Sequence, residues 1–127
     1  MPVVRIAALP QRPEIDVERV LAAVTHELAG LLGEEPRGTW ATWETIEQGW
    51  YSEGGVAPAA QPTGTHPPLV TLVASEGRPP ELVTRMLTCV ADTLARELGL
   101  EPGNVFVAFE EVRPGRLYTG GRVVGLD

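Results

Sequence analysis

The sequence is written twice. Displaced by 66 positions, residues 2–55 lie on residues 68–121 without a gap, and 19 of the 54 pairs are identical. Pro2-Val3-Val4 falls on Pro68-Leu69-Val70, Arg12-Pro13 on Arg78-Pro79, Leu32-Gly33 on Leu98-Gly99, Glu35-Pro36 on Glu101-Pro102, and Gly54-Gly55 on Gly120-Gly121. Self-similarity at a fixed period marks one supersecondary unit used more than once. Whatever the first half folds into, the second half folds into as well. Residues 56–67 are rich in Pro, Ala, Gly and Thr, lack periodicity and read as a linker. The expectation is a single domain over 1–127, with internal repeats at 2–55 and 68–121 joined by the linker 56–67. A chain of 127 residues is enough for one core.

Each repeat carries the same pattern. Residues 2–9 predict a strand, opened by a proline whose missing N–H costs no ladder bond there. Gln11-Arg12-Pro13 is a turn. A helix is expected over 16–32, with Asp16 as N-cap, apolar Val17, Val20, Leu21, Val24, Leu28, Leu31 and Leu32 at helical spacing, and Gly33 as its stop. A second strand covers 39–46, followed by a short hairpin arm ending in Gly54-Gly55. The second half repeats this with a strand at 68–74, a helix at 80–98, a strand at 104–112 and an arm at 117–124. A β-α-β unit joins parallel strands through a right-handed crossover. Two units side by side give an α/β (α+β) architecture, a four-stranded mixed sheet with two helices on one face. The strands read as apolar on both faces, so the uncovered face needs a cover. A closed ring of identical sheets supplies one, and a homotrimer is expected.

Composition removes several function classes. The net charge of −7 and sequence pI of about 4.8 argue against nucleic acid as a partner. All ten basic residues are Arg, which excludes Schiff-base lysine chemistry. Cys89 is the single cysteine, so there is neither an internal disulfide nor a cysteine-rich metal site. His26 and His66 are too isolated to cage a metal. No phosphate loop or dinucleotide fingerprint suggests a cofactor. No apolar run approaches the roughly 18 residues of a membrane span, and no signal-peptide pattern opens the chain. No membrane association and a cytoplasmic location are the expectation.

The stretch Met1-Pro2-Val3-Val4-Arg5-Ile6 carries the chemical signal. With Met1 removed, Pro2 presents a free secondary amine at the end of a buried strand. Apolar and cationic surroundings disfavour the protonated form of an amine, and a modest downward shift makes it a general base near neutral pH. Pro68 is internal, and its nitrogen is a tertiary amide with no basic lone pair. At most one proline-centred site per chain can therefore be active.

Pro2 behind the initiator Met, the apolar strand, Arg12, the amphipathic helix, the second strand and the arm from Gly49 to Gly54-Gly55, all present twice, resemble the tautomerase superfamily. The likeness is to the 4-oxalocrotonate tautomerase group in its fused form and to the macrophage migration inhibitory factor-like fold. The resemblance implies that the proline amine is the general acid–base group. It also implies that an arginine in the turn after the first strand binds a substrate carboxylate, and that an aromatic residue in the hairpin lines the pocket. These roles fall on Pro2, on Arg12 and its repeat Arg78, and on Tyr51, whose repeat partner is Leu117. The family's arginine on the later strand is absent, with Trp40 and Phe106 in its place as candidate substrate-binding residues. Arg37, Arg113, Arg116 or Arg122 from a neighbouring subunit is a possible substitute. The implied activity is cofactor-free keto–enol tautomerisation of a small 2-oxo or 2-hydroxy acid, in a trimer. The same proline in a hydratase, dehalogenase or decarboxylase, or a non-catalytic binding oligomer retaining Met1, are the alternatives.

Bland readings stand beside these. Arg12 and Arg78 could each form a structural ion pair at a helix start. Trp40, Trp43 and Trp50 read as core or interface anchors, His26 as a solvated helix residue and Cys89 as helix packing. Glu44 and its repeat Glu110 read as structural, with orientation of a water or substrate hydroxyl the functional alternative.

Overall fold

The computed structural model describes residues 1–125, so the last two positions of the expected domain lie outside the described residues. In chain order the elements are β1 (Val3–Ala8), α1 (Val17–Leu32), β2 (Trp40–Thr45), β3 (Leu69–Ser75), α2 (Pro80–Leu98) and β4 (Phe106–Val112). Two short strands, β5 (Tyr118–Thr119) and β6 (Arg122–Val123), form a terminal arm. The main sheet has the order β2-β1-β3-β4. β1 is parallel to β2 and β3 to β4, while the central pair β1–β3 is antiparallel. This is the expected mixed sheet. Val3 stands opposite Trp40 in one parallel pair and Leu69 opposite Phe106 in the other, each displaced by 66. Across the centre Val3 faces Val73, Ala7 faces Leu69, and Arg5 faces Thr71. A local two-fold axis between Arg5 and Thr71 therefore relates the halves.

The helices form where caps and periodicity place them. The Asp16 carboxylate accepts from the Glu18 N–H at 3.0 Å, satisfying one of the free donors at the α1 N-terminus. Gly33 and Gly99 end the two helices at φ 66° and 67°, a conformation that favours glycine. Both helices lie against one sheet face. Val4, Ile6 and Ala8 of β1 and Val70, Leu72 and Ala74 of β3 pack there against Val20, Val24 and Leu28 of α1 and Met86, Val90 and Leu94 of α2. Strand side chains alternate between faces, and only this alternate set is buried.

The opposite face differs from the expectation of strands apolar on both sides. It bears Arg5, Thr42, Glu44, Thr71 and Glu110 beside Trp40, Leu69 and Phe106. Runs such as Val3-Val4 and Leu69-Val70 suggested two-sided burial, yet their members point to opposite faces, and the polar residues share one of them.

The linker is built into the fold rather than slack. Gln61 N–H donates to the Pro10 carbonyl and Glu101 N–H to that of Thr63, each at 2.9 Å. The Asn104 amide donates to the Thr63 and Thr65 carbonyls at 3.0 and 2.9 Å. His66 is 2% exposed, and its backbone N–H donates to the Glu53 carboxylate at 3.0 Å. Its Nε2 lies 2.7 Å from the Val56 carbonyl, which can only accept, so Nε2 carries the proton. Nδ1 then accepts from the Thr65 hydroxyl at 2.9 Å.

Candidate active site

The antiparallel centre of the sheet decides which residues can meet. The start of β1 lies beside the end of β3, and the start of β3 beside the end of β1. Pro2 therefore adjoins the turn that carries Arg78, while Arg12 adjoins the end that carries Pro68. Trp40 N–H donates to the Pro2 carbonyl and Phe106 N–H to the Pro68 carbonyl, both at 3.0 Å. The Tyr51 hydroxyl donates to the Pro67 carbonyl at 2.7 Å. The six residues singled out from the sequence thus fall into two groups. Pro2, Arg78 and Trp40 gather at one end; Arg12, Tyr51 and Phe106 gather at the other. The repeat alone left Arg12 and Arg78 as equal candidates; strand direction puts Arg78 at the Pro2 end of the same chain and Arg12 and Tyr51 at the other.

At the first end Pro2 is fully buried, under 2% exposed. Its nitrogen is an amide while Met1 is attached, and the chain's free amine is that of Met1. Burial, and then the charge of Arg78, lower the pKa of that amine, with the Glu34 carboxylate acting in the opposite direction. The half-buried Arg78 is tethered by a hydrogen bond from Nη1 to the Ser75 carbonyl at 3.1 Å. Trp40 is 47% exposed, and its indole N–H donates to the Arg37 carbonyl at 3.1 Å. Of the arginines that could stand in for the missing strand arginine, Arg113 shares the end of β3 with Arg78. It lines a cavity of about 210 Å³ with Ser75, Val112 and Leu117. Arg37 occupies the single 3₁₀ turn Pro36–Gly38 before β2 and is exposed.

Two residues here, Gly38 and Thr39, carry no site role in the sequence reading, and a third, Glu34, reads there as part of a charged surface turn. Gly38 faces Met1, whose sulfur lies 3.8 Å from where a Cβ on that glycine would stand. Thr39 is 3% exposed, and its hydroxyl has no hydrogen-bond partner. Glu34 acts on the terminal amine. The only signal for them was their position just before β2, the parallel neighbour of the Pro2 strand.

At the second end chemistry gives way to structure. Arg12 is exposed and pairs with Glu14 at 3.1 Å. A Cβ on Gly99, at the C-terminus of α2, would stand 2.8 Å from its guanidinium. A cation at a helix C-terminus meets free carbonyls and the negative end of the helix dipole. Burial, and then Glu53, push the Tyr51 phenol up, so it stays protonated and holds the linker through Pro67. Its ring meets His66 edge-on, centroids 5.1 Å apart. A cavity of about 460 Å³ lies on the uncovered sheet face between Arg5, Thr42, Glu44, Leu69, Thr71 and Phe106. Neither proline nor any turn arginine lines it. Among the described residues no group of His, Cys, Asp and Glu could hold a metal ion. No helix among the described residues is long and apolar enough to cross a membrane.

No protein-family model and no curated protein matches the sequence. Solved structures do match. The Q0 fused 4-OT, described as a wild-type symmetric trimer, superposes with a TM-score of 0.80 over 98% of this chain and 96% of that one. The chain has the fused 4-OT fold. Pt0534, in a structure inactivated by 2-oxo-3-pentynoate, superposes with a TM-score of 0.81 over 97% of this chain and 95% of its own. N1, a member of the cis-3-chloroacrylic acid dehalogenase family, gives a TM-score of 0.71 over 96% of this chain and 82% of its own. Sequence identities are 14%, 14% and 18%. At such identities what is shared with the fused 4-OT structures is the fold.

Proposed function

We propose that the protein is a tautomerase of the fused 4-oxalocrotonate tautomerase kind, a cofactor-independent cytoplasmic isomerase of small 2-oxo or 2-hydroxy acids. In this reading Met1 is removed and the Pro2 amine is the general base and acid. It takes the proton from the enol hydroxyl, the electron pair moves through the conjugated system as the carbonyl forms, and the same proton is delivered to a distant carbon. Arg78 holds the carboxylate and stabilises the negative charge that develops on oxygen. The protein acts as a homotrimer, like the fused 4-OT described as a symmetric trimer.

One observation carries the reading: the amine at the head of β1 is lowered in pKa by burial and by Arg78. Those two influences both disfavour the protonated form of a terminal amine. Pro2, fully buried with Met1 attached, is the next residue along the chain, so its freed amine is expected beside the same Arg78 charge.

The test begins with the intact mass of the native protein, which is expected to lack Met1. Met-free protein is then assayed for loss of the ultraviolet absorbance of enol acids. Wild type is expected to be active, and Pro2→Ala is expected to lose at least 100-fold. Activity in Pro2→Ala equal to wild type refutes the mechanism. The acid 2-oxo-3-pentynoate, which inactivates Pt0534, provides a covalent check. A neutral amine adds to the alkyne carbon conjugate to the ketone, and a proton goes to the adjacent carbon. The whole mass of the reagent should appear on the N-terminal peptide.

A further inference from the structure

Thr39 carries a hydroxyl where its repeat counterpart has none. That counterpart, 66 positions on, is Val105, which packs against the core. Threonine and valine share a branched shape, so the hydroxyl is what separates the two ends at this position. Thr39 is 3% exposed, and its hydroxyl makes no hydrogen bond. Its backbone N–H is satisfied, by the Pro36 carbonyl at 3.0 Å. A buried hydroxyl without a partner lowers stability, and each such group in a native structure calls for a reason.

Strand register says where a partner comes from. Trp40 N–H donates to the Pro2 carbonyl, and Val3 stands opposite Trp40. One step back along both strands, Thr39 stands opposite Pro2. Side chains alternate between faces, so Thr39 and the fully buried Pro2 both belong to the helix-covered side. While Met1 is attached, the Pro2 nitrogen is an amide with no N–H and no basic lone pair, and it has nothing to offer a hydroxyl. Without Met1 it is a secondary amine with one N–H and one lone pair. Pro68 never undergoes this change, and the residue opposite it is the valine.

Resting on the isomerase reading above, we propose that Thr39 is a positioning residue for the Pro2 amine: its hydroxyl oxygen accepts the amine N–H and so turns the lone pair toward the substrate. The neutral amine has a single N–H. With that N–H held by Thr39, the lone pair is left for the enol proton. Once the amine has taken that proton it carries two N–H bonds. One stays on Thr39; the other is the transferred proton and faces the substrate carbon that receives it. Thr39 touches the base and not the substrate, so its loss acts on turnover rather than on binding. A hydrogen bond is stronger to the charged form of a donor, so Thr39 favours the protonated amine. It acts in the same direction as Glu34, on the loop after α1, and against burial and Arg78, on the turn after β3.

The experiment uses Met-free wild type, Thr39→Val and Thr39→Ser, grown with isotopically labelled proline. A nitrogen NMR titration reads the amine pKa with no substrate present. Steady-state kinetics with phenylenolpyruvate read kcat and KM, and melting temperatures check that the variants fold. Thr39→Val is expected to lower the amine pKa and to move the acidic limb of the pH profile of kcat/KM to lower pH. Its kcat should fall about tenfold with KM held within about twofold. Thr39→Ser keeps the oxygen, so it should titrate like wild type and hold kcat within about threefold. An unchanged amine pKa in Thr39→Val overturns the assignment. A loss confined to KM, or one that Thr39→Ser does not rescue, overturns it as well, and all three results leave the proline mechanism standing. Inactivity of wild type on enol acids, with the pKa shift of Thr39→Val present, refutes the isomerase reading and the role in turnover while the hydrogen bond itself stands.

Discussion

Replacing Arg78 and Arg12 separately by Ala tests what the antiparallel centre of the sheet dictates. The sequence offers the two as equivalent, since they occupy the same position of the repeat. The structure puts Arg78 beside the terminal amine and Arg12 at the far end, paired with Glu14 and lying over the α2 C-terminus. Arg78 would contribute a charge-assisted hydrogen bond to the substrate carboxylate, of about 1.5–3 kcal/mol. At about 1.4 kcal/mol per factor of ten, Arg78→Ala should lower kcat/KM by about 10- to 150-fold. Arg12→Ala removes a solvent-exposed ion pair of about 0–1 kcal/mol and should lower stability by no more than that, leaving kcat/KM within about twofold. A second readout fixes the sign. The Arg78 charge disfavours the protonated amine, so its removal raises the amine pKa. The acidic limb of the pH profile of kcat/KM must then move to higher pH in Arg78→Ala and stay in place in Arg12→Ala. Equal losses in the two variants, or an acidic limb that moves down in Arg78→Ala, would refute the assignment of Arg78 to the Pro2 site.

Glu34→Gln removes the charge that raises the amine pKa, so the acidic limb should shift to lower pH, opposite to Arg78→Ala; a pH-rate profile measures it. Tyr51→Phe loses the 2.7 Å hydrogen bond to Pro67 and should destabilise the protein by about 0.5–1.5 kcal/mol in urea unfolding while leaving kcat/KM unchanged. Thr39→Val replaces a buried hydroxyl without a partner by an isosteric methyl, and should leave the melting temperature unchanged or higher. Leu94→Ala, at a fully buried α2 position facing the sheet, should cost about 2–5 kcal/mol in the same unfolding assay.

The architecture was legible in the sequence because local rules and duplication agreed. Asp16, Gly33 and the spacing of Val20, Val24 and Leu28 each specify a helix boundary or face on their own, and the second copy repeats the message at Gly99 and Val90. Strand direction across the centre is a different matter. Nothing in Val3–Ala8 or Leu69–Ser75 states whether they run together or opposed, and that single relation decides whether Pro2 meets Arg12 or Arg78. The linker was equally opaque, because its order comes from Asn104, Glu101 and Pro10 far along the chain rather than from its own composition. The same limitation hid Gly38, which as a residue type signals only a turn. Its meaning appears when it is laid on Asn104 through the two-fold axis. One copy of the position carries an amide that ties down the Thr63 and Thr65 carbonyls, and the other carries no side chain. On the proposed reading only the Pro2 end carries a basic nitrogen, so the two ends of the duplication do unequal work. The halves are then free to diverge where their ends differ, as they do at Gly38 and at Asn104, whose amide holds the Thr63 and Thr65 carbonyls.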